Sequence, residues 1–162
     1  HAVGSLEAIY SRKSYAKRTG IHNMTEAVQY FDGVMSRAYD ESWILILTNA
    51  GVVRCARRLT DSSDWYRPDI LRDAFDDILS LQANSVILGI FDTQNSGELR
   101  QEMKKNAQSL LSVFADMQIA LIDVLLFGET DIISMRRSGV LDAAKTQSVF
   151  SPLAERYERE MP

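Results

Sequence analysis

Ser85-Val-Ile-Leu-Gly-Ile-Phe-Asp-Thr-Gln-Asn-Ser-Gly97 is the stretch on which the fold reading turns. Ser85–Phe91 is short and apolar on both sides, the pattern of a buried strand. At Asp92 the run stops, and polar turn residues continue to Ser96-Gly97. Helical spacing then resumes: Leu99, Met103, Leu110, Leu111 and Phe114 fall on one side of a helix predicted from Glu98 to Met117. The local plan is therefore a strand, an exposed turn over 92–97, and a helix.

On the N-terminal side of this stretch, Asn23-Met-Thr-Glu26 reads as a capping box. The Asn23 side chain accepts from the third backbone amide, and Glu26 reaches back. It opens a helix predicted over Met24–Ala38, with Ala27, Val28, Phe31, Val34 and Met35 inward. Trp43–Thr48 is apolar on both faces and reads as a central strand. Asn49-Ala50-Gly51 supplies the turn, and 52–58 returns as a hairpin strand. Pro68 suits the first position of a helix, predicted to run to Leu81 with Ile70, Leu71, Ala74, Phe75, Ile78 and Leu79 inward. On the C-terminal side, Ile119–Phe127 reads as a strand, Gly128–Asp131 as a turn and Ile132–Met135 as a short strand. Asp142–Ser148 is a candidate helix, and Pro152–Glu160 reads as a charged tail or surface helix. The order implies an α/β fold: a three-layer mixed β-sheet with flanking helices.

The 162 residues suit one domain with a real core. The chain opens on His1 rather than methionine, as a fragment, a processed form or a tagged chain would. No apolar run approaches the length of a membrane span, and no secretory signal is visible. A single cysteine, Cys55, excludes an internal disulfide framework and fits a reducing cytoplasm, the expected location. The net charge of -4 gives no general push toward nucleic acid or anionic membrane.

An ordered set of pieces resembles the RadC branch of the JAB/MPN (JAMM) metalloprotease-like family. These are Glu41-Ser-Trp-Ile-Leu-Ile-Leu47, Arg67-Pro68-Asp-Ile-Leu-Arg72, Ser85-Val-Ile-Leu88 with Ser96-Gly97, Ile119-Ala-Leu-Ile-Asp123, and Ile133-Ser134-Met-Arg-Arg-Ser-Gly139-Val-Leu141. The resemblance covers roughly 21–141. It implies a cytidine-deaminase-like JAB/MPN fold, with 1–22 a polar leader, 23–141 the domain and 142–162 a C-terminal extension. The helix-hairpin-helix accessory usual in RadC proteins is expected to be missing or trimmed.

The resemblance also implies a zinc site, and here the sequence departs from it. His-Asn-His-Pro-Ser-Gly of the family falls on Asp92, Thr93, Gln94, Asn95, Ser96 and Gly97. The metal aspartate falls on Met103, or on Glu102 with a different gap. The histidine after Asp123 becomes Val124. The chain's two histidines, His1 and His22, both precede the first strand, so no His-x-His pair can form. A zinc hydrolase needs such ligands, plus a glutamate that activates the metal-bound water. Glu41 stands where that glutamate belongs. The expectation is a catalytically inactive domain with no cofactor, whose vestigial site comprises Glu41, Asp92, Gln94, Ser96 and Glu102.

Each candidate has a plainer reading. Asp92, Gln94, Glu98 and Glu102 are candidates for a residual cation site, yet acids also favour a first helical turn through its dipole. Glu41 without a metal reads as a solvent-exposed strand start, Cys55 as a packed core thiol, and Ser96 as a turn or cap residue. Arg54, Arg57, Arg58 and Arg67 form a basic cluster in sequence, echoed by Arg12, Lys13, Lys17 and Arg18. They are candidate phosphate contacts, or charges that keep an edge strand from pairing. Trp65 is a candidate partner contact or an anchor for its own loop. Functionally the chain reads as an interaction or regulatory module, with DNA maintenance implied by family association. The alternatives are a hydrolase with a non-standard carboxylate site, better suited to Mg²⁺ or Mn²⁺, and a nucleic-acid-binding module using Arg54, Arg57 and Arg58. A protein partner is expected, with nucleic acid or a homodimer open and no membrane.

Overall fold

The computed structural model describes residues 20–94, 99–142 and 149–162. Helix α1 (Met24–Val34) leads into the hairpin β1 (Glu41–Leu47) and β2 (Val53–Thr60). Helix α2 (Pro68–Ser80), β3 (Ser85–Phe91), α3 (Gln101–Asp116), β4 (Ala120–Phe127), β5 (Ile132–Ser134) and α4 (Pro152–Arg159) follow. The strands form one mixed five-stranded sheet in the order β2-β1-β3-β4-β5. β3 and β4 are parallel, and the other neighbours are antiparallel. No described helix is long and apolar enough to cross a membrane. The leader up to Thr19, the turn residues 95–98 and the candidate helix at 143–148 lie outside the described residues.

The three apolar strands are buried on both faces, as their uninterrupted runs require. Ile44, Ile46, Val86, Leu88 and Ile90 face α2 and α3, whose Leu71, Ala74, Ile78, Met103, Ala107, Leu110 and Phe114 pack against them. Leu45, Leu47, Ile87, Phe91, Leu125 and Phe127 face α1 and α4. The layered α/β architecture matches the expectation. Gly89 matters at the centre: a Cβ there would lie 2.7 Å from the Phe31 ring. Without it, Phe31 lies over the strand and meets Phe127 edge-on, with ring centroids 5.7 Å apart.

β3 spans the same residues as predicted, and Pro68 opens α2. Asn23 caps α1 by accepting from Glu26 N. Glu26 reaches back to His22 N, one residue before the cap. Three expectations need correction. α1 ends at Val34 rather than Ala38, because Met35 turns extended and Arg37 takes a left-handed backbone with φ 58°. Leu79 is 59 % exposed, since the buried stripe of α2 runs through Leu71, Ala74 and Ile78. The segment Pro152–Glu160 forms the expected helix rather than a tail, but it is not confined to the surface: Leu153 and Tyr157 of α4 are buried in the core.

β4 is irregular at one point. Val86 pairs with Leu121 and Ile87 with Asp123, so Ile122 is an extra residue, a bulge. It shifts the alternation of the strand. Ala120 and the bulged Ile122, and Leu125 and Phe127 beyond it, all face α1 and α4. The carbonyls freed at the bulge are taken by Arg136, whose Nε donates to Ile122 O and whose Nη2 donates to Leu121 O.

Candidate functional site

The parallel pair β3 and β4 ends at one edge of the sheet, where open α/β folds place their ligands. Asp92 leaves β3 there, its amide donating to Phe127 O at 3.1 Å. Its carboxylate is 2 % exposed. Oδ1 accepts from Gln94 N at 3.0 Å, and Oδ2 accepts from Arg100 Nη2 at 2.7 Å. Arg100 is the N-cap of α3. The same Nη2 lies 3.7 Å from Met103 Sδ, and Met103 is itself buried. One guanidinium nitrogen thus sits between the two side chains that fall on the first and third zinc-ligand positions of the resemblance. The side chains of Gln94 and Glu102 turn to solvent. Ser96 and Glu98 lie outside the described residues.

Glu41 is buried, which corrects the expectation of an exposed strand start. Three donors converge on it: Ser36 Oγ at 3.1 Å, Arg37 N at 2.8 Å and Trp43 Nε1 at 2.7 Å. This carboxylate fixes the turn that stops α1 early. By strand alternation Glu41 shares a face with Trp43 and Leu45, on the α1 side. Asp92 takes its partners from α3, on the other side. The structure therefore does not bring Glu41 and Asp92 together. Among the described residues, no three His, Cys, Asp or Glu side chains converge as a metal-holding group.

The basic cluster divides. Arg57 pairs with Asp77 of α2 and lies 3.6 Å from Asp73. Arg58, next in the strand and so on the opposite face, donates to Tyr39 OH at 3.2 Å. Arg67 pairs with Asp69 at 3.2 Å, while Arg54 is exposed. Trp65 is 2 % exposed and packs edge-on against Tyr66. It is the anchor of its loop and presents no surface for a partner. Cys55 is partly buried against the α2/α3 core rather than enclosed in it.

The sequence reading missed the most elaborate polar cluster. Asp123, fully buried on the bulge of β4, accepts four hydrogen bonds. Val124 N (2.8 Å) and Arg136 N (3.0 Å) donate to Oδ1, while Ser134 Oγ and Tyr157 OH, both at 2.6 Å, donate to Oδ2. A lone acid inside Ala120–Phe127 was the available signal. Burial pushes the Asp123 carboxyl above the usual carboxylate range, and its four donors pull the other way.

Burial, the Asp123 charge and the hydrogen bond to it hold the Tyr157 phenol above the ordinary tyrosine value of 10.0. A group whose pKa is raised on folding contributes its full stability below the unfolded value and loses it as pH climbs past that value. The protein is accordingly expected to lose stability from about pH 10 upward. Tyr157→Phe should be weaker at neutral pH by about 1 kcal/mol, with a smaller alkaline loss. Urea midpoints measured across that range test this, and parallel curves for the two proteins would refute the assignment to Tyr157.

No known protein family matches the sequence, and no curated protein matches it significantly.

Proposed function

We propose that the chain is a catalytically inactive RadC-like JAB/MPN domain that serves as an interaction or regulatory module. Its cellular setting is cytoplasmic, with DNA maintenance drawn from the family association alone. The observation that carries the reading is the guanidinium of Arg100 between Asp92 and Met103. A buried carboxylate needs hydrogen-bond donors or a counter-charge, and for Asp92 an arginine of the same chain supplies both. The residues at this place do not fit zinc. Asp92 is a single carboxylate already paired, Gln94 is a weak neutral ligand turned to solvent, and Met103 offers a thioether, which suits softer metals. Glu41, the would-be water-activating group, is held by three donors on the other face of the sheet. The divided arginine cluster gives the nucleic-acid alternative no comparable support.

Titrating the protein with Zn²⁺ in a calorimeter tests the reading. No saturable binding is expected, and excess chelator is expected to leave the melting temperature unchanged, since no binding free energy is there to remove. Tight binding near one equivalent, or a large drop in melting temperature with chelator, would sink it.

A further inference from the structure

β2 is the outermost strand on its side of the sheet. Beyond the isolated bridge of Gly20 to Val52, no described strand pairs with its outer edge. Alternate residues of such a strand turn N–H and C=O groups away from the neighbour, as open hydrogen-bonding positions. The register to β1 shifts at Arg54 and at Leu59, so Cys55–Arg58, opposite Trp43–Ile46, is the regular stretch.

The two faces beside this edge differ in charge. On the α2 side, Arg57 is met by Asp77 and Asp73, so its charge is compensated. On the other side, Arg58 stands opposite Trp43 and donates to Tyr39 OH. Arg54 and Arg58 are exposed, and neither pairs with a carboxylate among the described residues. Tyr39 is half exposed, and the partly exposed Trp43 ring is held in place by its bond from Nε1 to Glu41. Trp, Tyr and Arg are the residue types that carry most binding energy at protein interfaces, and a ring already fixed loses little freedom when a partner arrives.

We infer that the outer edge of β2 is a docking site for an acidic extended segment of a partner protein, which adds a sixth strand to the sheet. Charge selects this occupant. A second copy pairing edge to edge would set Arg54, Arg57 and Arg58 of one strand against the same three of the other, and β2 carries no acid to offset them. The charges that bar a second copy admit a segment with carboxylates on the Arg58 side. Main-chain bonds to Cys55–Arg58 supply the hold, and the side chains of alternate residues supply the choice of partner. Carboxylates meet Arg58 and Arg54, while neutral side chains lie against Cys55 and the compensated Arg57. This partner class extends the interaction-module reading and rests on it for the existence of a partner.

Hydrogen exchange on the unaltered protein gives the first readout. The amides of Cys55–Arg58 that β1 does not hold are expected to exchange freely. Protection of them in the free protein, whether by residues 1–19 or by a second copy, would overturn the inference. The second readout uses a heptapeptide alternating glutamate and valine as the probe, with lysine in place of glutamate as its counterpart. The glutamate peptide is expected to slow exchange of those amides about tenfold or more at saturation, and to bind at least about tenfold more tightly than the lysine peptide. Arg54→Glu with Arg58→Glu should reverse that order. Absence of binding by the glutamate peptide, equal binding of the two peptides, or protection that falls outside β2 would each overturn the inference. So would protection of β2 by a single-stranded oligothymidylate and not by the peptide, which would make the edge a nucleic-acid contact. If the double variant does not fold, the two peptides on the unaltered protein decide. Zinc uptake by the unaltered chain would sink the inactive-domain reading and leave these readouts as they are.

Discussion

Replacing Asp123 by alanine is expected to cost the fold about 3 kcal/mol, a large share of the roughly 5–15 kcal/mol that holds a domain together. The loss falls on its donors. Val124 N and Arg136 N are fixed by the backbone and cannot turn to other acceptors, and a buried donor left alone costs about 1–3 kcal/mol. The hydroxyls of Ser134 and Tyr157 can rotate, so they contribute less. Burial of the carboxylate, which raises its pKa, offsets part of the loss. Asp123→Asn keeps one carbonyl acceptor and should lose less than the alanine variant. Urea unfolding gives the comparison, provided the denaturant slope stays constant. Equal stability of the alanine variant and the parent would show that the cluster does not fasten β4, β5 and α4.

The second large effect is a gain of zinc binding. Asp92→His, Gln94→His and Met103→Asp together rebuild a His₂Asp arrangement with a fourth position open. The guanidinium of Arg100 now lies in that space. A unit charge about 4 Å from another repels it by about 4 kcal/mol at an effective dielectric of 20, and a dication feels twice that. Arg100 is 58 % exposed and can swing outward, which reduces the penalty. The triple variant is therefore expected to bind Zn²⁺ measurably, and the same variant with Arg100→Ala about tenfold more tightly or better. A variant with both histidines that keeps Met103 and relies on Glu102 is expected to bind more weakly than the triple variant, because Met103 already lies against Arg100 Nη2 whereas Glu102 turns to solvent. Activity is not expected, since Glu41 is held on the other face and positioning errors of about 1 Å can cost a hundredfold in rate. If no variant binds zinc above the parent, the turn after β3 does not follow the path that the RadC resemblance implies.

Local signals carried the sheet and most of the helices. The unbroken apolar run of Ser85–Phe91, the cap at Asn23 and the proline at 68 each name an element without reference to the rest of the chain. The division of Arg57 from Arg58 was also within reach, because adjacent strand residues point to opposite faces. The site was less legible because its geometry depends on contacts distant in sequence. Whether Glu41 is buried depends on where α1 stops, and that stop is itself fixed by Glu41 through Ser36 and Arg37. The pairing of Arg100 with Asp92 joins residues eight apart, and no apolar pattern announces it. Asp123 is aimed by a one-residue bulge, and its partner Tyr157 lies 34 residues further on. No spacing rule connects them.

In the inactive-domain reading proposed above, the Arg100 guanidinium between Asp92 and Met103 stands where a metal would otherwise be held. Elemental analysis of the protein purified without chelator tests it most directly. The expected result is zinc, manganese and magnesium all far below one atom per chain, unchanged when the growth medium is supplemented with each. One tightly held metal atom per chain, lost when Asp92 is replaced by alanine, would contradict it.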